Sequence, residues 1–300
     1  MLKREPAMKL TENLKDTSYT LLKHMLKDMQ RVAVAYSGGV DSTLLLHAAS
    51  EALGDAVIAI TALSATTPRQ EYRDAVAFAQ NAGIRHIAVE THELSIPEFI
   101  QNPPDRCYIC KKHRYVALIT EAYQQGYAII ADGENLDDAN DYRPGSRAAR
   151  ELGVYSPLRD AGFTKKHIRR VSEMLGLHTW NKPALACLAS RIPFHSPITS
   201  EKLMQIDAAE TFLRGLGLSG QIRVRHFGDT ARIEVDVADI VQMTGADIRN
   251  RTVRFFKEHG FTHVLLDMEG YQMGKLNPLS SRNKDEYVKK PDDCSATICG

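Results

Sequence analysis

Two groups of residues in this chain have the types and spacing to do chemistry. The first is Ser37-Gly38-Gly39-Val40-Asp41-Ser42-Thr43, which brings three hydroxyls and a flexible glycine pair to one point. It follows the apolar run Val32-Ala33-Val34-Ala35 and opens into Leu44-Leu45-Leu46, so it reads as strand, tight turn, helix. A helix starting there aims its unpaired N–H groups and positive dipole end at an anion, and a phosphate is the natural occupant. No lysine lies in the loop, so the pattern G-x-x-x-x-G-K-[ST] fails, and G-x-G-x-x-G fails as well. A bare Gly-Gly turn in an α/β protein is the competing reading. The second group is Cys107-x-x-Cys110 with the distant Cys187. Five cysteines in so long a chain do not make a disulfide framework, and such clusters more often bind metal or react. A lone cysteine in an apolar stretch is usually a small buried residue. At Cys187 the neighbouring Lys182, Ser190 and Arg191 favour a thiolate, as ligand or attacking group.

Ser-Gly-Gly-Val-Asp-Ser after a strand resembles the signature of the PP-loop ATP pyrophosphatases, which split ATP between its α and β phosphates. The elements that must carry it follow from periodicity. Residues 8–30 have helical apolar spacing, Arg31 to Tyr36 is a strand, and a helix over 43–53 stops at Gly54. Ala56 to Thr61 is a buried strand, Pro68 opens a helix to Asn81 that Gly83 ends, and His86 to Glu90 is a third strand. A helix near 111–125 and a strand at Tyr127 to Ala131 continue the rhythm, which predicts a doubly wound parallel sheet of the α/β class. Ligands sit beyond the carboxyl ends of such strands, so Ser37, Thr61 to Ser64, Glu90 to Glu93 and Asp132 to Asn135 should face one cleft. Pro103-Pro104 makes the segment before Cys110 read as a rigid loop delivering both thiols there. The acid-rich stretch Asp132, Glu134, Asp137, Asp138 and Asp141 is either a solvated surface or a set that orients ATP, its Mg²⁺ or an acceptor. Lys165, Lys166, Arg169 and Arg170, on a helix over 164–175, read as its solvated face.

Pro193 and Pro197 mark a boundary, giving a nucleotide-binding domain at 8–192 and a smaller α+β domain at 193–279. The latter should hold a helix over 198–216, strands at 221–226, 231–237 and 261–267, and a largely helical 238–258. Arg223 and Arg225, two apart on a strand, leave one face and can grip a phosphate together, unless both are merely solvated. The polar tail 280–300, with Cys294 and Cys299, is expected to be disordered and outside any site. Lys and Arg total 38 against 37 Asp and Glu, so no global basic field draws the chain to nucleic acid. There is no apolar run of membrane-spanning length and no signal-peptide core in the polar segment Met1 to Asp16, so a cytoplasmic place is expected.

Later motifs narrow the PP-loop resemblance. They are Asp105-Arg106-Cys107-Tyr108-Ile109-Cys110-Lys111-Lys112, Asp132-Gly133-Glu134-Asn135, Asp141-Tyr142-Arg143-Pro144-Gly145, Glu151-Leu152-Gly153-Val154 and Lys182 through Cys187 to Arg191. In order and spacing, from about residue 12 to 278, they resemble the LarE family of ATP-dependent sulfur transferases, which serve the nickel-pincer nucleotide cofactor of lactate racemase. The resemblance implies adenylylation of a carboxylate of pyridinium-3,5-biscarboxylic acid mononucleotide, then displacement of AMP by sulfur to leave a thiocarboxylate. It implies ATP and Mg²⁺ at Ser37, Gly38, Gly39, Asp41 and Ser42. The substrate phosphate would lie at Arg223 and Arg225 with Ser190 and Arg191, and a divalent cation at Glu210 and Glu234. It also implies a homo-oligomer, possibly a hexamer, a sulfide donor, and a downstream enzyme that inserts nickel.

Some members of that family sacrifice the sulfur of the cysteine matching Cys187, which becomes dehydroalanine. Here Cys107 and Cys110 add two thiolates, and three thiolates suit a [4Fe–4S] cluster whose open iron could carry a hydrosulfide. A zinc site with His113 as fourth ligand, or a redox disulfide, are the other readings of the three thiols. At the level of function the alternatives are a PP-loop tRNA thiolase, which would need a basic surface for RNA, and an amide-forming synthetase, which leaves the cysteines idle. A nucleotide sensor that never turns ATP over is the non-enzyme reading.

Overall fold

The computed structural model describes residues 16–139, 144–183, 186–218 and 220–276. Residues 8–15, Asp141 to Arg143, Cys294, Cys299 and the expected tail lie outside them. The first unit alternates helix and strand: α1 Thr17–Asp28, β1 Val32–Ala35, α2 Val40–Leu53, β2 Val57–Leu63, α3 Arg69–Asn81 and β3 Arg85–Glu90. Next come α4 Pro97–Ile100, α5 Arg106–Gln124, β4 Ile130–Ala131, α6 Pro144–Glu151, α7 Pro157–Asp160 and α8 Lys165–Met174. All strand pairs are parallel in the order β3-β2-β1-β4, the doubly wound arrangement expected.

Alternation along the strands explains the two covered faces. Val32, Val34, Val57 and Ala59 pack with α1, α2 and α8 through Leu22, Leu26, Leu44, Leu45, Ile168 and Val171. Ala33, Ile58 and Ile60 point the other way, onto Tyr115, Leu118 and Ala122 of α5 and Ala149 of α6. β4 is shorter than Tyr127 to Ala131, because α5 closes in a turn through Gly126 (φ +80°) and the chain joins the sheet only at the Ile129 carbonyl.

Two helix starts differ from the sequence reading, and both matter for chemistry. α2 begins at Val40, with Gly39 as N-cap, which places Asp41 and Ser42 in its first turn. α5 begins at Arg106 after Asp105, so Cys107 and Cys110 stand on a helix rather than in a loop. The Pro103-Pro104 pair ends the preceding segment instead of extending it to the cysteines.

The second unit comprises α9 Ser200–Arg214, β5 Ile222–Phe227, β6 Thr230–Val235, α10 Ile240–Thr244, α11 Ala246–Glu258 and β7 His263–Leu266. Gly245 breaks the helical stretch into α10 and α11. β5 and β6 form an antiparallel hairpin, and β7 joins β6 in parallel. One sheet face is apolar, with Ile222, Val224, Ile233 and Val235 against Leu213 and Phe256. The residues between them, Arg223, Arg225 and Glu234, give the other face its charge. Residues 192–198 are no loose linker. Asn102 donates to the Ile192, Pro193 and Ser196 carbonyls at 3.3, 2.7 and 3.0 Å, and Phe99, Leu188, Ile192, Ile198, Leu203 and Ile206 share one cluster.

Candidate active site

The turn after β1 is closed by its own side chains. Ser42 Oγ donates to the Gly39 carbonyl at 3.2 Å and lies 3.1 Å from Ser37 Oγ, which accepts from the Gly39 amide at 3.4 Å. Gly38 sits at φ +74°, a conformation that favours glycine, and a Cβ there would come within 2.9 Å of Ala75 Cβ. From β4, Gly133 presses on the helix start so closely that a Cβ would stand 2.8 Å from the Ser42 nitrogen. The turn is also braced through the sheet. Thr61 Oγ1 donates its one hydrogen to the Tyr36 carbonyl at 2.6 Å, so His86 Nε2, 2.9 Å away, must donate to Thr61. Burial lowers the His86 pKa, which keeps the ring neutral for that role.

The lysines missing from the loop arrive from elsewhere. Lys165, at the start of α8, sets its Nζ 2.5 Å from Asp41 Oδ2. Lys182 reaches the Gly38 carbonyl at 3.3 Å and Glu71 at 2.6 Å. Neither position matches the sequence reading, which put Lys165 on a solvated helix face and Lys182 beside the Cys187 thiol. Arg169 and Arg170 are likewise engaged, with the Trp180 and Lys182 carbonyls and with Asp16. Two ammonium groups, each paired with a carboxylate, therefore flank the serine-glycine turn.

The acid-rich stretch divides in two. Asp132 is buried and accepts from Tyr115 at 2.6 Å and Ser156 at 2.9 Å, with Lys111 3.6 Å away. Burial and the Asp132 carboxylate push the Tyr115 pKa up, so the phenol stays a donor. Glu134 is buried beside Arg159, while Asp137 is exposed and caps the Lys165 amide at 2.7 Å.

Cys107 and Cys110, three apart on α5, share a helix face. Cys110 and Cys187 pack against the same cluster of Phe99, Leu188, Ala189 and Ile192. Leu188 donates its amide to the Thr66 carbonyl at 2.9 Å, which pins the Cys187 loop to the carboxyl end of β2, one strand from the serine-glycine turn. Burial pushes the Cys110 thiol up to about 12; the Arg114 guanidinium opposes this, while Cys187, Glu93 and Cys107 reinforce it. Desolvation and then Cys187 raise Cys107 as well. Cys187 thus opposes ionisation of both thiols on α5. Among the described residues no three His, Cys, Asp or Glu side chains close on a single ion, which leaves the zinc reading with His113 without support. The [4Fe–4S] reading of the same three thiols draws on their residue type, since such clusters are held by cysteine thiolates.

Beside the thiols lies a pair that the sequence reading did not single out. Arg114 Nε donates to the buried Glu93 at 2.5 Å, and its NH2 reaches Ser64 at 2.8 Å and Thr66 at 2.7 Å. The positions of Glu93 and Ser64 at strand ends were the available signal. Nothing in the sequence marks Arg114 as their partner.

The arginine set behaves differently from expectation. Arg225 pairs with Glu234 at 2.8 Å and donates to the Ser190 carbonyl at 3.1 Å, and Arg232 holds the second Glu234 oxygen at 2.9 Å. Arg191 forks onto Glu210 at 2.8 and 3.0 Å, and Arg214 adds a bond at 2.9 Å. Glu210 and Glu234 are therefore fully buried counter-ions to arginines, where the sequence reading had them as metal ligands. Arg223 stands over the Tyr271 ring at 5.2 Å, and burial together with Arg191 and Arg225 lowers its pKa. Arg223 and Arg225 do share one face of β5, as their spacing required.

Known proteins resemble this chain over most of its length. The NAD synthase family model matches residues 6–117, the part that builds the nucleotide turn and reaches the first two cysteines. The chain is 39% identical over 253 residues to the Lactiplantibacillus plantarum protein named pyridinium-3,5-bisthiocarboxylic acid mononucleotide synthase, covering 84% of this chain and 91% of the relative. The chain belongs to the LarE family. It also matches uncharacterized proteins of Synechocystis, 44% identical over 85% of this chain and 95% of that one, and of Methanocaldococcus jannaschii, 32% identical over 84% and 96%. As a LarE-family member the chain is an enzyme with an ATP-type PP-loop. Among the described residues no helix is long and apolar enough to cross a membrane.

Proposed function

We propose that the enzyme uses ATP to activate the carboxylates of pyridinium-3,5-biscarboxylic acid mononucleotide and replaces an oxygen of each by sulfur. The observation that carries this is the Leu188 to Thr66 bond of 2.9 Å, which holds the Cys187 loop beside the phosphate turn. The first step needs a carboxylate oxygen to attack the α-phosphorus of ATP while pyrophosphate leaves. Ser37, Gly38, Gly39 and Ser42 would cradle the phosphates, Lys165 and Lys182 would offset their charge, and Asp41 would face the Mg²⁺ that family membership implies. In the second step a sulfur nucleophile attacks the acyl carbon and AMP departs, a far better leaving group than oxide. Arg223 and Arg225 would face the mononucleotide phosphate.

For the sulfur source, Cys107, Cys110 and Cys187 would hold a [4Fe–4S] cluster, which when bound supplies sulfide at an iron the protein leaves open. What favours this over a sacrificial Cys187 is the pair on α5, idle in the sacrificial route. Pyrophosphate release that depends on the pyridinium substrate, with thiocarboxylate seen by mass spectrometry, tests the reaction. ATP binding without pyrophosphate release would instead indicate a sensor, and filter binding to tRNA would reveal a thiolase. Iron and acid-labile sulfide measured on anaerobically purified protein and on Cys107→Ala test the cluster. Iron and repeated turnover surviving in the variant would refute it, and loss of the Cys187 sulfur after one turnover would establish the sacrificial route.

A further inference from the structure

Among the described residues Arg191 is the largest fully buried side chain, at 1% exposure, and its partner Glu210 is at 0%. A buried ion pair is poor evidence for stability, since well-packed apolar residues usually serve as well. The pair's purpose has to be sought in what else the guanidinium holds. Nε and NH2 are spent on the Glu210 fork from α9. NH1 goes wholly to the cysteine loop: the Ala186 carbonyl at 2.7 Å, the Cys187 carbonyl at 2.9 Å and Ser190 Oγ at 3.0 Å. Ser190 Oγ in turn donates to the Cys187 carbonyl at 2.8 Å, and Arg225 donates to the Ser190 carbonyl at 3.1 Å. Glu210 is itself fixed, by Arg214 at 2.9 Å and by the amide of Val224 on β5 at 3.1 Å.

We infer that Arg191 and Glu210 are positioning residues for Cys187. Their planar fork anchors the cysteine loop to the C-terminal unit and sets where its sulfur stands against the activated carboxylate. Two arguments support this over a grip on substrate phosphate. Nε, both NH1 hydrogens and one NH2 hydrogen already go to protein acceptors, and an arginine plane is needed because one ammonium cannot serve two carboxylate oxygens and three loop acceptors at once. Without the fork the Cys187 carbonyl would keep only bonds from Ser190, inside the same loop, and the loop's ties to the rest of the fold would be the Leu188 amide on Thr66 and Arg225 on the Ser190 carbonyl.

This inference rests on the proposed sulfur transfer for its catalytic arm only. Arg191→Lys keeps the charge near Cys187 and removes the fork, and Glu210→Gln keeps the shape and weakens it. In Arg191→Lys, thiocarboxylate formation should fall about a hundredfold, the cost of misplacing a reacting group by about 1 Å, while the single-turnover burst of substrate-dependent pyrophosphate and its dependence on ATP concentration stay as in wild type. A merely structural role would lower both half-reactions together. Independently of catalysis, alkylation of the apo protein read peptide by peptide should show a severalfold change at Cys187 with Cys107 and Cys110 unchanged. Glu210→Gln, which preserves volume and the Val224 acceptor, should shift Cys187 in the same direction by less, and it stands in if Arg191→Lys does not fold. Cys187 alkylation unchanged in a folded variant, or the two half-reactions falling in parallel, would overturn the inference. Wild type that releases no pyrophosphate with the pyridinium substrate would sink the proposed function and leave the alkylation result standing.

Discussion

Lys165→Met separates ligand binding from folding more cleanly than any change in the phosphate loop itself. The Lys165 side chain is 36% exposed and that of Asp41 is 23% exposed, so their contact is a partly screened ion pair worth about 1 kcal/mol or less. Methionine keeps the aliphatic stem, and the melting temperature should drop by no more than about 2–4 °C. ATP should feel far more. A charge-assisted hydrogen bond to phosphate contributes about 1.5–3 kcal/mol, which converts to a rise of roughly ten- to 150-fold in KM or Kd. The assay is pyrophosphate release against ATP concentration, paired with a thermal melt of the same sample. Lys165→Arg, which retains the charge, should recover most of the loss. Unchanged ATP affinity in a folded Lys165→Met protein would refute the reasoning, and the Asp41 contact would then be a surface pair only.

Gly133→Ala places a methyl 2.8 Å from the Ser42 nitrogen, backbone that cannot rotate away; it should cost about 1–3 kcal/mol and weaken ATP binding, measured by denaturant melts and calorimetry. Arg114→Leu strands the buried Glu93 without its counter-ion and should destabilise by about 3–5 kcal/mol, whereas the double variant with Glu93→Leu should recover most of it. His226 has its pKa lowered to about 4 by burial and then by Lys202. The unfolded chain therefore binds the extra proton between about pH 6.5 and 4, so stability falls as pH falls through that window, by up to about 1.4 kcal/mol per unit. His226→Leu should flatten that slope in urea melts taken across the window.

Much of the fold was legible because its signals are local. Continuous apolar runs at Val32 and Val57, glycine stops at Gly54 and Gly83, and the alternating helices fix a parallel sheet whatever the rest of the chain does. The helix starts at Val40 and Arg106 were less legible. Gly39 and the Pro-Pro-Asp sequence each permit a helix to begin sooner than hydrophobic periodicity shows. That shift decides how two cysteines meet a third, since positions three apart on a helix share a face and positions in a loop need not.

What the sequence hid is pairing at a distance. Lys165 is 124 residues from Asp41, Lys182 is 144 from Gly38, and Arg114 is 48 from Thr66, so no spacing rule links them. Residue type was misleading in the same way for the carboxylates. A buried glutamate looks like a metal ligand or an arginine's counter-ion equally well until its neighbours are known, and only the tertiary fold puts Arg191 and Arg214 on Glu210 and Arg225 and Arg232 on Glu234. Arg191, Arg214, Arg225 and Arg232 share Glu210 and Glu234, with Arg232 also 3.5 Å from Asp267, so this region of the fold keeps a small excess of positive charge, to which Arg223 adds. An anionic mononucleotide is the kind of substrate such a region attracts, and Arg225 within it also holds the Ser190 carbonyl of the loop that carries Cys187. Arg225 thus touches both tasks, so a substitution there should raise KM for the mononucleotide and change Cys187 alkylation together.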